Sequence, residues 1–136
     1  MCRLVLVTHG DTATAMKRST RMFFGDMVDQ IIALEFHTGD SLEEFTKKVE
    51  NVVTSDEDDY MFMVDIPSGT PYNVVALVID KYGSSKNIEC LAGVNMPMIM
   101  EALSMINNHD TLEGLVEHLQ ETSKASIVNL RARMEI

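Results

Sequence analysis

Apolar residues in this chain alternate between short unbroken runs and longer stretches with a helical period. Leu4-Val5-Leu6-Val7 is a continuous aliphatic run between turn-forming residues, which predicts a strand buried on both faces. From Thr12 to Phe24 the apolar positions Ala15, Met16, Met22 and Phe23 recur at helical spacing, and Gly25 supplies a C-terminal stop. Ile31 to Phe36 reads as a second strand. Asp40 and Ser41 open a second helix, with Ser41 and Glu44 in capping-box register and Leu42, Phe45 and Val49 on one face. Met61 to Val64 forms a third strand ending at Asp65, and Thr70-Pro71 is a cap and first-turn pair for a helix running to Tyr82. Ile88 to Ala92 is the fourth strand. Asn95 with Pro97 opens a helix through Ile106, Thr111 caps a last helix through Glu121, and an apolar-containing tail, Ile127 to Ile136, follows.

Strands that alternate with helices imply an α/β fold: a mainly parallel sheet with helices on both faces, because each right-handed crossover must cover the sheet. The 136 residues suit a single domain, 1–136. A chain of this length buries roughly two-thirds of its unfolded surface and needs no disulfide or structural metal.

Composition narrows the function classes. The formal net charge is −10, so the field of the protein repels phosphate backbones and anionic membranes, which argues against nucleic-acid binding. No apolar stretch reaches the ~20 residues of a membrane span and no cationic leader is visible, so direct membrane insertion is not expected and a reducing cytoplasm is. Cys2 and Cys90 form no C-x-x-C pair and no Cys/His cluster at metal spacing, and read as inert thiols. Most of the 11 methionines fall in apolar runs, where they fill the core. The acidic stretch Ser55 to Asp59 lacks the ligand alternation and glycine of a calcium loop and reads as a solvated loop.

In open parallel sheets the chemistry collects at the carboxyl ends of strands, where the strand order changes direction. That rule selects Thr8, His9 and Gly10 after strand one, Asp65 after strand three, and Gly93 and Asn95 after strand four. With the order 2-1-3-4, His9 and Asp65 would stand side by side. A carboxylate that accepts a proton from one imidazole nitrogen fixes the tautomer and leaves the other nitrogen's lone pair free to act as a nucleophile. Helices starting after Gly10 and Thr70 would aim free N–H groups at the same place, and Gly10 and Gly69 allow close backbone approach. His37, His109 and His118 have no carboxylate placed to orient them in this reading and are expected at the solvated surface.

At these residues the sequence resembles the mannose-family enzyme IIA domain of the bacterial phosphoenolpyruvate-dependent sugar phosphotransferase system. The likeness runs through Leu4-Val5-Leu6-Val7-Thr8-His9-Gly10, Met22-Phe23-Phe24-Gly25 and Gly39-Asp40-Ser41-Leu42-Glu43-Glu44. It continues through Met63-Val64-Asp65, Gly69-Thr70-Pro71-Tyr72-Asn73 and Ala92-Gly93-Val94-Asn95-Met96-Pro97-Met98. The resemblance implies that His9 accepts phosphate from the phosphocarrier HPr and donates it to enzyme IIB, with Asp65 orienting it, Gly10, Gly69 and Thr70 at the phosphate, and no metal or nucleotide cofactor. It also implies the order 2-1-3-4, a homodimer exchanging an antiparallel edge strand for which Ile127 to Ile136 is the candidate, and no attached enzyme IIB domain. The family usually has two glycines and a serine before the proline, where this chain has Ser68, Gly69 and Thr70, with Pro67 one place earlier. Similar IIA-like domains act as regulators or as phosphoryl donors to dihydroxyacetone kinase. Histidine phosphatases also place His-Gly after the first strand, but they need an arginine directly before the histidine, where this chain has Thr8.

Overall fold

The computed structural model describes residues 1–136. Four parallel strands, β1 (Cys2–His9), β2 (Ile32–Phe36), β3 (Asp59–Val64) and β4 (Ile88–Ala92), form one sheet of order β2-β1-β3-β4. They alternate with α1 (Thr12–Phe24), α2 (Leu42–Thr54), α3 (Thr70–Tyr82), α4 (Met96–Met105) and α5 (Leu112–Ala125), and α6 (Leu130–Arg133) ends the chain. No helix is long and apolar enough to cross a membrane.

The period-two geometry of a strand divides each apolar run between two cores. Leu4 and Leu6 of β1 and Met61 and Met63 of β3 face one layer of helices, where they meet Ala13 of α1, Ile99 and Leu103 of α4, and Leu115 and Leu119 of α5. Val5 and Val7, with Phe62 and Val64, face the other layer, against Phe45, Val49 and Val53 of α2 and Val74, Val75 and Val78 of α3. This two-sided burial explains why β1 and β3 show no polar alternation.

Helix entries follow the caps read from the sequence in three cases. Ser41, Asn95 and Thr111 accept hydrogen bonds from the main-chain N–H groups of Glu44, Met98 and Gly114 at 3.2, 3.0 and 3.0 Å. In α3 the cap is instead Gly69, and Thr70 lies one residue inside the helix with no capping hydrogen bond.

Other expectations are corrected. The inward face of α1 carries Ala13, Met16, Thr20 and Phe24, while Met22 and Phe23 point to solvent, because they sit off the i, i+3, i+7 stripe that meets the sheet. Leu42 is likewise exposed at the entry of α2. The segment Gly25–Gln30 adds a 3₁₀ turn that the periodicity did not predict. Asp56 of the acidic stretch turns back to accept the Tyr60 hydroxyl and the Asp58 N–H. The tail makes no strand within this chain. It closes one helical turn, capped by the Asn129 side chain on the Ala132 N–H at 3.0 Å, and leaves Ile127, Val128, Leu130, Met134 and Ile136 exposed.

Burial pushes the Cys2 thiol up to about 11 and Cys90 up to about 12, so both stay protonated and unreactive near neutral pH.

Candidate functional site

Strand parity places the site. Leu4, Leu6 and Thr8 point to the α1 layer, so Val5, Val7 and His9 point to the α2–α3 layer. His9 is the last residue of the inner strand β1, and Asp65 follows the last residue of its neighbour β3, with Val7 and Val64 paired in the parallel ladder. The two side chains meet at the carboxyl rim of the sheet. Asp65 Oδ2 accepts the His9 main-chain N–H at 2.9 Å and lies 2.8 Å from ring Nδ1.

This double contact defines the imidazole. With Asp65 ionised, the neutral ring carries its proton on Nδ1, and the Nε2 lone pair is free. Burial raises the Asp65 carboxyl, but the hydrogen bonds from the His9 main chain and ring outweigh it and leave its pKa below the ordinary 3.8. The His9 side chain is 41% exposed.

The two nearby helix entries behave differently. At α1 the expected free N–H groups are largely taken. The Gly10 N–H donates to the Phe36 carbonyl at 2.9 Å, Ala13 donates to the Thr8 hydroxyl at 2.8 Å, and Thr14 donates to Glu35 Oε2 at 3.0 Å. Gly10 thus serves the turn, with φ of 56°, and its amide is spent inside the protein. At α3 no side chain caps the helix, and Pro71 has no N–H to give. The amides of Gly69, Thr70 and Tyr72 have no hydrogen-bond partner in the chain, so α3 presents backbone donors beside His9.

Gly69 is where this entry touches the imidazole. A Cβ built on it would stand 2.7 Å from His9 Cε1 and 3.3 Å from Nε2, while its φ of −85° suits any residue. Gly69→Ala therefore tests the approach of the helix to the ring and not backbone strain. We expect it to displace the ring with the fold retained, as shifted His9 ring resonances at a little-changed circular-dichroism melting temperature would show. The residue before it, Ser68, takes a φ of 65°, the left-handed region that favours glycine and that costs other residues about 1–2 kcal/mol. This is the place where the resembling family usually has a glycine.

Sequence reasoning missed Thr8 and Glu35 as the groups that close α1. Glu35 stands alone as a charge in the apolar run of β2, and that isolation was its available signal. Thr8 is fully buried. Thr8→Val keeps the shape but strands the Ala13 N–H, and an expected loss of about 1–3 kcal/mol would appear as a lower urea midpoint at an unchanged m-value.

The remaining histidines are not all as expected. His37 Nε2 lies 3.1 Å from Asp11 Oδ1, and His118 Nε2 lies 2.9 Å from Glu101 Oε1. Their partners are 26 and 17 residues away in sequence, so only the fold brings them together. The Asp11 hydrogen bond, helped by the charges of Asp40 and Glu35, raises the His37 pKa above its usual 6.5. His109 Nδ1 sits 3.2 Å from the Met105 carbonyl.

Known proteins resemble the chain over nearly its whole length. The EIIA-man family model, described as PTS system fructose IIA component, matches residues 3–120. The fructose-specific EIIA component of Bacillus subtilis (strain 168) is 32% identical over 128 residues, covering 93% of this chain and 84% of that protein. The sorbose-specific EIIA component of Lacticaseibacillus casei is 28% identical over 132 residues, covering 96% and 92%. Among solved structures, the phosphotransferase system component EIIA of Streptococcus agalactiae aligns with a TM-score of 0.89 at 23% identity, covering 97% of this chain and 99% of that one, and shares its fold.

Proposed function

Given that the chain belongs to the mannose family of EIIA components of the phosphotransferase system, we propose that it carries a phosphoryl group on Nε2 of His9, received from phospho-HPr and passed to a histidine of enzyme IIB for sugar uptake. The observation that carries this reading is the 2.8 Å contact between Nδ1 and Asp65, which leaves Nε2 as the nucleophile beside the uncapped entry of α3. Gly69 and Thr70 supply the N–H groups that would hold the phosphoryl oxygens.

The step is an in-line displacement. The Nε2 lone pair forms a new N–P bond as the N–P bond of the donor phosphohistidine breaks, and the electron pair of that bond returns to the donor ring. Attack leaves the His9 ring cationic, with its Nδ1–H still held by ionised Asp65, whose charge offsets the one that develops. Both ends are phosphoramidates, so the transfer is close to balanced and runs in either direction. Its rate rests on positioning and charge, with no requirement for a metal or nucleotide.

The setting is the cytoplasm, where donor and acceptor proteins meet. We also propose a homodimer, in which the exposed apolar tail residues Ile127, Val128 and Leu130 leave solvent by pairing with a second copy. The phosphatase reading loses its basis, because the side chain before His9 is a buried threonine hydroxyl that closes α1. Incubation with phosphoenolpyruvate, enzyme I and HPr tests the proposal. One acid-labile phosphate per chain, chased by enzyme IIB, supports it. A label that moves only to a regulator or to dihydroxyacetone kinase would assign the same chemistry to a non-transport role.

A further inference from the structure

A second group of side chains gathers on the α1 side of the rim, away from the His9 ring. Asp11 lies in the turn that enters α1, Glu35 is the next-to-last residue of β2, and His37 follows the strand. Glu35 and His37 are two apart along extended chain, so both side chains project to the same face. The pairing of His9 with Phe36 in the β1–β2 ladder brings Asp11 over them.

The donor atoms converge. His37 Nε2 lies 3.1 Å from Asp11 Oδ1 and 3.8 Å from Glu35 Oε1, and one donor atom from each residue lies within 4.8 Å of the other two. Tetrahedral zinc, with bonds of about 2.0–2.2 Å, requires ligand atoms about 3.3–3.6 Å apart, and the two distances from the imidazole fall on either side of that range. A carboxylate also stands on the side of the second ring nitrogen, where metal-bound histidines commonly find their partner. His37 Nδ1 is 3.7 Å from Asp40 Oδ2, and the same oxygen accepts the His37 main-chain N–H at 2.8 Å. The Asp40 N–H returns to the His37 carbonyl at 3.0 Å, closing a turn in which Gly39 takes φ of 90°. Glu35 is fixed through its other oxygen by Thr14. The Glu35 side chain and the main chain of His37 are therefore held in place before any ion arrives, and exposed Asp11 can swing to complete the set.

We propose that Asp11, Glu35 and His37 bind one divalent ion of the zinc type, with Asp40 fixing the turn that carries His37. One nitrogen and two carboxylate oxygens suit a borderline ion, and three protein ligands leave a fourth position for water. Two carboxylates and a neutral imidazole balance the charge of the ion. The site shares no ligand with the proposed phosphoryl-transfer pair, since it uses neither His9 nor Asp65.

The competing occupant of Nε2 is a proton, which would make the cluster a plain ion pair, and the experiment separates the two. Untagged, metal-free protein is titrated with Zn²⁺ by calorimetry and with Co²⁺ by visible absorption. The expected result is one ion per chain, Co²⁺ bands of a four-coordinate N/O site, and a shift of the His37 Nε2 resonance on adding Zn²⁺. His37→Ala should weaken binding at least tenfold and Asp11→Asn severalfold. His118→Ala, which removes the other exposed histidine–carboxylate pair, should leave it unchanged. Failure of the folded wild type to take up either ion overturns the site, as does unaltered binding by folded His37→Ala.

Discussion

His9→Ala is expected to accept no phosphate from phospho-HPr under conditions in which the parent chain takes up one equivalent. The proposed bond is made to Nε2 of that ring, and alanine leaves no nucleophile there, so the effect is a complete loss of labelling. The side chain is 41% exposed and lies at the end of a strand, so its removal opens no core cavity, and melting should be little changed. The control for a displaced label is already present in the chain. His37 and His118 also lie against carboxylates, but both have Nε2 turned toward the acid, which occupies the nitrogen that His9 keeps free. Persistent labelling of the alanine variant, mapped to either of these rings, would end the assignment of His9.

Asp65→Asn carries the second large effect. We expect the rate of transfer from phospho-HPr, followed by rapid quench, to fall by about 10²–10⁴, the range over which proton control and an orienting carboxylate affect other histidine-dependent reactions. An amide can rotate its NH₂ toward Nδ1, which favours the tautomer with the proton on Nε2 and removes the lone pair from the attacking position. Even in the correct tautomer it offers no negative charge to the cationic ring formed during attack. A structural role alone would not move the ring tautomer, so the ¹⁵N shifts of the His9 imidazole discriminate between the two. The same substitution changes acid stability. Because the folded pKa of Asp65 lies below 3.8, its contribution to stability is present above that value and is lost as pH falls through the lower native one. Asp65→Asn should therefore flatten the loss of stability below about pH 4, measurable as urea midpoints across that range.

The sheet and its crossovers were legible because β1 and β3 are buried on both sides and read as unbroken apolar runs, and Ser41, Asn95 and Thr111 mark helix starts by chemistry that acts over three residues. His9 and Asp65 could be picked out as strand-end residues, but their adjacency needed the strand order, which periodicity does not encode and the resemblance supplied. What escaped depends on contacts between distant segments. Thr8 and Glu35 close α1 from two different strands, so the Ala13 and Thr14 amides are taken, although a helix entry after His-Gly looks open in sequence. Parity also settles which helix His9 faces, and it only becomes informative once each face of the sheet is known to carry a particular layer. Met22 and Phe23 show the converse case: apolar residues in a helix do not reveal by themselves which side meets the core.

The uncapped entry of α3 gives the proposed phosphate seat a particular kind of durability. Every residue but proline supplies the same N–H whatever its side chain, so non-proline replacements at Pro67, Ser68 or Thr70 alter how easily the loop holds its shape while the donor atoms themselves persist. The loop thus tolerates a residue such as Ser68 in the left-handed conformation without losing its free N–H groups. Only substitutions that add bulk against the imidazole, as at Gly69, intrude on this seat directly.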